Sequence, residues 1–193
     1  NYALGKLSGK ASIDQNLEAM NLELAPEVRQ KVLQEVIRLG DKKKNVSPSD
    51  LPFIIAEVLS SPLESRLKVV DYEISTRSGG TPKARVAVEM DGVKAEATSP
   101  GDGGYDAFMR ALRKCMKTFN LTLPKLVDYE VRIPPGGKTD ALVETTITWA
   151  FPGKHVTTTG IDPDQIVAAI FATEKMLNLL LPGNPAESAA GTL

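Results

Sequence analysis

The sequence predicts an α+β fold: a helical linker subdomain, then a duplicated βββα unit, (βββα)2, made of two antiparallel sheets with helices packed on them. Three observations lead there. Residues 67–180 repeat themselves: Val70-Asp71-Tyr72-Glu73-Ile74 returns as Val127-Asp128-Tyr129-Glu130-Val131, and Gly79-Gly80, Ala84 and Val86 return as Gly136-Gly137, Ala141 and Val143. Each copy holds three segments with apolar residues at every second position, the pattern of strands with one buried face. Each copy then passes a glycine, Gly101 or Gly160, and enters an amphipathic helix. Three antiparallel strands cannot bury their face alone, so the helix must cover it. Duplicated units of this kind pack on one another, and the groove between them is a natural seat for a ligand or a second subunit.

The elements follow in order. Residues 1–13 form a polar lead, and a short helix is expected at 12–20. A firmer helix spans 26–39, with Pro26 in its first turn and Val28, Val32, Leu33 and Val36 at helical spacing. Gly40 should stop it, leaving Asp41-Lys42-Lys43-Lys44 as a solvated loop. Ser47-Pro48-Ser49-Asp50 has the pattern of a helix cap. The helix it opens runs to about Leu59, and Pro52 should make its first turn irregular. A subdomain boundary is placed at Ser60-Ser61-Pro62.

Strands are expected at 69–76, with Val70, Tyr72 and Ile74 on one face, at 83–90 and at 93–98. Asp91-Gly92 is the hairpin turn between the last two. The helix at 104–119 carries Phe108, Ala111, Leu112, Cys115, Met116 and Phe119 as one stripe, with Arg110, Arg113, Lys114 and Lys117 opposite. In the second copy the strands are 126–133, 141–150 and 154–159. Pro152-Gly153 is the hairpin turn, and the helix is 163–181, capped by Asp162 with Pro163 at its first position. The division is thus 1–62 helical linker, 63–182 (βββα)2 and 183–193 loose tail.

Composition narrows the function. The 193 residues are 42% hydrophobic and 24% charged, which suits a packed core. A net charge of −1 argues against a nucleic-acid surface. An α-β-β-β-α run also occurs in double-stranded RNA-binding domains, but Asp102 and Asp106 stand where that helix would need cations. One cysteine, Cys115, excludes a disulfide framework and suits a reducing, cytoplasmic setting. No apolar run is long enough to span a bilayer. The chain starts on Asn1 rather than methionine, so a piece of a longer protein is expected.

No catalytic centre and no metal site is expected. The one histidine, His155, sits beside Lys154 in a strand, and Cys115 lies on a core stripe. Trp149, Val143 and Ile147 share a strand face and belong to core or interface. The most informative segment is Ser99-Pro100-Gly101-Asp102-Gly103-Gly104-Tyr105-Asp106-Ala107, which joins a strand to a helix. It is either a tight turn or a place where glycines let a ligand approach free N–H groups at a helix start. Thr158-Thr159-Gly160-Ile161-Asp162 is its counterpart. Two helix starts could then face one small anion, with Tyr105 and Ile166 giving apolar contact.

These segments resemble the C-terminal regulatory domain of the α-isopropylmalate synthase family, which includes 2-isopropylmalate and (R)-citramalate synthases. The 99–107 turn is similar to that family's TxGDGPVDA turn, with Gly104 and Tyr105 in place of Pro-Val. Thr159-Gly160-Ile161-Asp162 and Lys125-Leu126-Val127-Asp128-Tyr129-Glu130-Val131-Arg132-Ile133 resemble its second repeat. Gly5-Lys6-Leu7-Ser8-Gly9-Lys10 resembles its GKHSGR segment, with Leu7 where many members carry histidine, a departure that resembles both the citramalate-like branch and divergent isopropylmalate synthases.

The resemblance implies a homodimer that binds the end-product amino acid, leucine or isoleucine, at its interface. It implies a parent acyltransferase joining acetyl-CoA to a 2-oxo acid on a divalent metal in a TIM barrel; this part of the chain would hold no cofactor. Gly101, Asp102, Gly103, Tyr105, Ala107, Phe108, Thr159, Gly160, Ile161 and Ile166 are the implied effector residues. The helical lead at 12–60 is the expected coupling element. A ligand-free structural dimerisation domain is the alternative of another class.

Overall fold

The computed structural model describes residues 7, 9–43, 46–61, 65–133 and 141–182. The first six residues, Ser8, Lys44, Pro62, the pair Gly136-Gly137 and the tail 183–193 lie outside the described residues. The order is α1 (Lys10–Ala19), α2 (Pro26–Lys43), a 3-10 turn (Pro48–Asp50), α3 (Leu51–Ser60), β1 (Leu67–Ser75), β2 (Lys83–Met90), β3 (Val93–Pro100), α4 (Gly104–Lys117), β4 (Lys125–Arg132), β5 (Val143–Phe151), β6 (Lys154–Asp162) and α5 (Gln165–Leu179). The strands form two antiparallel sheets, β1-β2-β3 and β4-β5-β6, each followed by its helix. This is the expected (βββα)2 arrangement.

Local chemistry explains most boundaries. The Ser47 backbone N–H donates to Asp50 Oδ2 at 2.9 Å, one half of a capping box, and the first turn after it is 3-10. The Asp91-Gly92 hairpin turn has positive φ at both residues, 50° and 81°, a conformation that glycine and aspartate tolerate. Gly40, however, does not stop α2, and Asp41 to Lys43 are helical rather than loop. A glycine inside a helix costs only about 1 kcal/mol. Here Arg38 and Lys42, on either side of it, both reach Asp162 of β6 at 3.0 and 3.1 Å, which holds the last turn in place.

Two register expectations are corrected. Val70 does not share the face of Tyr72 and Ile74. The β1–β2 pairing slips between Val69 and Asp71, leaving Val70 as a bulge residue that is 47% exposed. The same bulge recurs in β4 at Val127. In β5 the partner of Tyr129 is Ile147, as Val86 is the partner of Tyr72. Val86 therefore corresponds to Ile147, not Val143, and Ala84 to Thr145, because the β4–β5 connection is longer than its counterpart.

The second copy's last turn also differs from expectation. β6 continues through Asp162, so Thr159-Gly160-Ile161-Asp162 is strand rather than turn. The cap of α5 is Asp164, whose Oδ1 accepts from Ile166 N and Val167 N at 2.7 and 3.3 Å. Asp162 is drawn away to Arg38 and Lys42 and accepts the Asp164 N–H at 3.0 Å.

The two copies share one core. Val86, Phe108, Leu112 and Met116 of the first pack in the same buried cluster as Ile147, Trp149, Ala172 and Met176 of the second. The fully buried Trp149 donates its Nε1–H to Thr158 Oγ1 at 2.8 Å, and that hydroxyl donates to Ala172 O at 2.7 Å, so the indole is satisfied inside the core. Cys115 is buried in the same cluster, as expected from its stripe. The helices touch, and α5 also reaches β1 of the other copy. A second cluster joins Leu7, Val32, Leu39 and Ile54 of the helical subdomain to Leu142 and Ile161 of the second copy. The helical subdomain is thus seated on copy two.

Candidate functional site

The turn into α4 is built by close packing. A Cβ on Gly101 would run into the Ala107 backbone and lie 2.9 Å from its Cβ, so glycine lets the end of β3 abut the first turn of α4. Its role is to seat its own helix rather than a ligand. Gly160 does the same against α5, where a Cβ would strike the Ala168 carbonyl. Gly103 is extended at the N-cap of α4 with no side-chain cap, and space is open around it. Asp102 and Asp106 lie at the surface and both pair with Arg110, at 3.1 and 2.8 Å, while Asp106 Oδ2 accepts the Asp102 N–H at 2.9 Å.

Tyr105 turns inward between the copies. Its hydroxyl lies 2.6 Å from Thr173 Oγ1 of α5. Its ring stacks on Phe108 at 6.0 Å and tilts against Tyr129 at 5.4 Å, and Phe108 meets Tyr72 edge-on at 6.1 Å. Burial pushes the Tyr105 hydroxyl well above the usual phenol range, so it stays protonated. Four aromatic rings therefore fill the groove that was expected to admit a ligand.

The ten sequence-derived residues separate into three places. Gly101, Asp102 and Gly103 form the surface turn. Tyr105, Ala107, Phe108 and Ile166 pack in or against the shared core. Thr159 and Gly160 lie in β6, and Ile161, 1% exposed, is sealed into the helical-subdomain cluster. The two helix starts do not share one anion site. The start of α5 already holds the Asp164 carboxylate as its cap; of these two helix starts only α4 lacks a side-chain cap, and the carboxylates beside it, Asp102 and Asp106, are paired with Arg110. Replacing Asp164 by Ala is expected to cost about 1 kcal/mol of stability, read by urea denaturation.

Sequence reasoning missed a polar joint between α3, α5 and β6. Lys175 Nζ lies 2.9 Å from Glu57 Oε1, with both side chains 10% exposed. It also donates to Ser60 Oγ at 2.8 Å and to Thr159 O at 2.6 Å. Burial raises the Glu57 carboxyl above its usual range, and Lys175 pulls it part of the way back. Beside it a cavity of about 280 Å³ opens between α2, α3 and α5. Glu174 accepts the Val69 N–H of β1 at 2.9 Å, and burial raises its carboxyl too. Asn178 accepts from Leu67 N at 3.1 Å and donates to Leu67 O at 2.8 Å. The available signal was charge inside apolar helices: Glu57 in α3 and the Glu174-Lys175 pair in α5 interrupt otherwise apolar runs.

Among the described residues no three His, Cys, Asp or Glu side chains come together to hold a metal ion, so the divalent metal implied for the parent finds no site among them. No helix among them is long and apolar enough to cross a membrane.

Comparison with known proteins finds a family model and relatives that match this chain. The family model described as the LeuA allosteric (dimerisation) domain matches residues 45–181. A protein of Archaeoglobus fulgidus provisionally named (R)-citramalate synthase is 33% identical over 92% of this chain and 36% of its own length. A protein of Methanopyrus kandleri provisionally named 2-isopropylmalate synthase is 36% identical over 92% of this chain and 36% of its own length, and the 2-isopropylmalate synthase of Aquifex aeolicus is 29% identical over 91% and 33%. The chain thus spans about a third of the length of these relatives.

Proposed function

This chain belongs to the LeuA allosteric (dimerisation) domain family, and from that premise we propose that it is the amino-acid-sensing, dimer-forming part of a cytoplasmic acyltransferase. The parent reaction would be condensation of acetyl-CoA with 2-oxoisovalerate by a 2-isopropylmalate synthase, with leucine as feedback inhibitor. The catalytic TIM barrel, with its divalent metal, would lie elsewhere in that protein. Citramalate synthase, with pyruvate as substrate and isoleucine as effector, is the second reading, supported by the similarity to the A. fulgidus protein. The observation that carries the proposal is the match over residues 45–181.

The site supports this reading as follows. The α4 start, without a side-chain cap, suits the effector's carboxylate at Gly103 and Gly104. Asp102, whose side chain is 92% exposed, offers an acceptor for its ammonium. Phe108 and Ile161 are sealed in cores, so the branched side chain would meet the open edge of the half-buried Tyr105 and a second copy. Within the chain, residues 1–62 serve as linker and 63–182 as sensor. The joint Lys175–Glu57 and the links from Asp162 to Arg38 and Lys42 connect them. Effector can change activity only by favouring one of two arrangements of such a joint.

The test is a thermal-shift titration with leucine and isoleucine on the wild type and Asp102→Ala. One amino acid is expected to raise the melting temperature, and D102A to weaken its apparent affinity about tenfold, as loss of a charged hydrogen bond does. A dimer unmoved by either amino acid at millimolar concentration would favour a ligand-free structural dimerisation domain.

A further inference from the structure

The duplication provides an internal control for surface burial. β1 and β4 are the same strand in two copies, with the same bulge and with Tyr72 and Tyr129 in the same register. In copy one the helix-facing Val69, Tyr72 and Ile74 are half-buried. There α5 lies against β1, with Glu174 on Val69 N–H and Asn178 on Leu67. In copy two the side chains corresponding to Val69 and Ile74 are more open. Leu126 and Val131 pair opposite the buried Trp149 and Thr145, and so point to the helix side, yet they are 39% and 38% exposed. Ile133, just past the strand, is 62% exposed. Tyr129 alone is half covered, by Tyr105.

We infer that the strip formed by Leu126 and Val131 of β4 with Ile133 just after it is the contact with a second copy of this chain, seated against the same strip about a two-fold axis. The inference rests on the dimerisation reading above and adds to it the surface. An isologous interface brings one patch against itself, which an uncharged apolar strip allows. The outer face of the first sheet is a poor alternative, because the ion pairs Asp71–Arg85 and Arg85–Glu96 cross it at 2.6 and 3.4 Å. Leu126 and Val131 are more open than their half-buried twins Val69 and Ile74, Ile133 extends the same face, and a contiguous open apolar face of this kind is one that assembly covers.

Sedimentation equilibrium on the chain, with circular dichroism as a fold control, tests this. Wild type is expected to be a dimer. Val131→Lys should weaken dimerisation at least 100-fold with an unchanged spectrum. Val70→Lys, at the equally open bulge of copy one, should leave the dimer intact. If V131K disturbs the spectrum, Ile133→Lys lies beyond the paired strand and serves in its place. A wild-type dimer that V131K or I133K leaves as tight as before overturns the strip while sparing the dimer. A wild type that is monomeric throughout overturns both.

Discussion

Gly160→Ala is expected to destabilise the chain by about 3 kcal/mol or more, at the upper end of what overpacking costs. For a chain of this size that is a fall in melting temperature of roughly 10 °C. The added Cβ would strike the Ala168 carbonyl and lie 2.9 Å from Ala172 N and Phe171 Cβ. Two of these are helix backbone, which cannot swing aside as a flexible side chain can. Relief would require α5 to lift from β6, and α5 also carries the contacts to β1 and to Glu57. Gly40→Ala is the matching control. Nothing lies within 4 Å of its Cβ and the residue is helical, so alanine there should stabilise by up to about 1 kcal/mol. Calorimetric melting of the two variants separates close packing from glycine loss in general.

The second large effect is expected at Lys175. Lys175→Met leaves the Glu57 charge buried without its partner, and breaking such a pair costs about 3–5 kcal/mol. The repeat again provides the contrast. Lys114 in α4 donates to Thr98 O at 2.8 Å, as Lys175 does to Thr159 O, but the helical subdomain does not cover it. Lys114→Met should therefore change stability by no more than about 0.5 kcal/mol. Pairing K175M with Glu57→Leu should recover most of the loss, because no buried charge remains.

The effect of pH has a definite sign. Burial holds the Glu57 carboxyl above its reference value of 4.5 in the folded chain, and removing Lys175 strengthens that shift. A carboxyl raised on folding contributes stability below its unfolded pKa and loses it as pH rises through the folded one. The K175M deficit should be small near pH 4 and grow towards neutrality, as read by urea midpoints at both ends.

The fold was legible in the sequence because both of its signals are local. Alternation in β2 and β5 and the stripe of α4 mark faces that lie within a few residues of one another. The bulges at Val70 and Val127 escaped because a bulge is defined by a partner strand, not by the residue itself. Gly40 misled for a similar reason, since its helix is held by Asp162, a residue far along the chain. At the candidate site, the turn Gly101 to Gly104 was readable as a strand-to-helix entry. The sequence could not show that Tyr105 would fill the groove, because that depends on Thr173 and Tyr129 arriving from the other copy. Nor could it show that Lys175 and Glu57 meet, although charge within apolar helices was a visible hint.

The central claim is that this domain senses a branched-chain amino acid. Isothermal titration calorimetry of the dimeric chain with leucine, and separately with isoleucine, tests it most directly. The account expects saturable binding of one of the two, at millimolar affinity or tighter, abolished or weakened by Asp102→Ala. No heat from either at several millimolar, from a chain shown to be folded and dimeric, would contradict it.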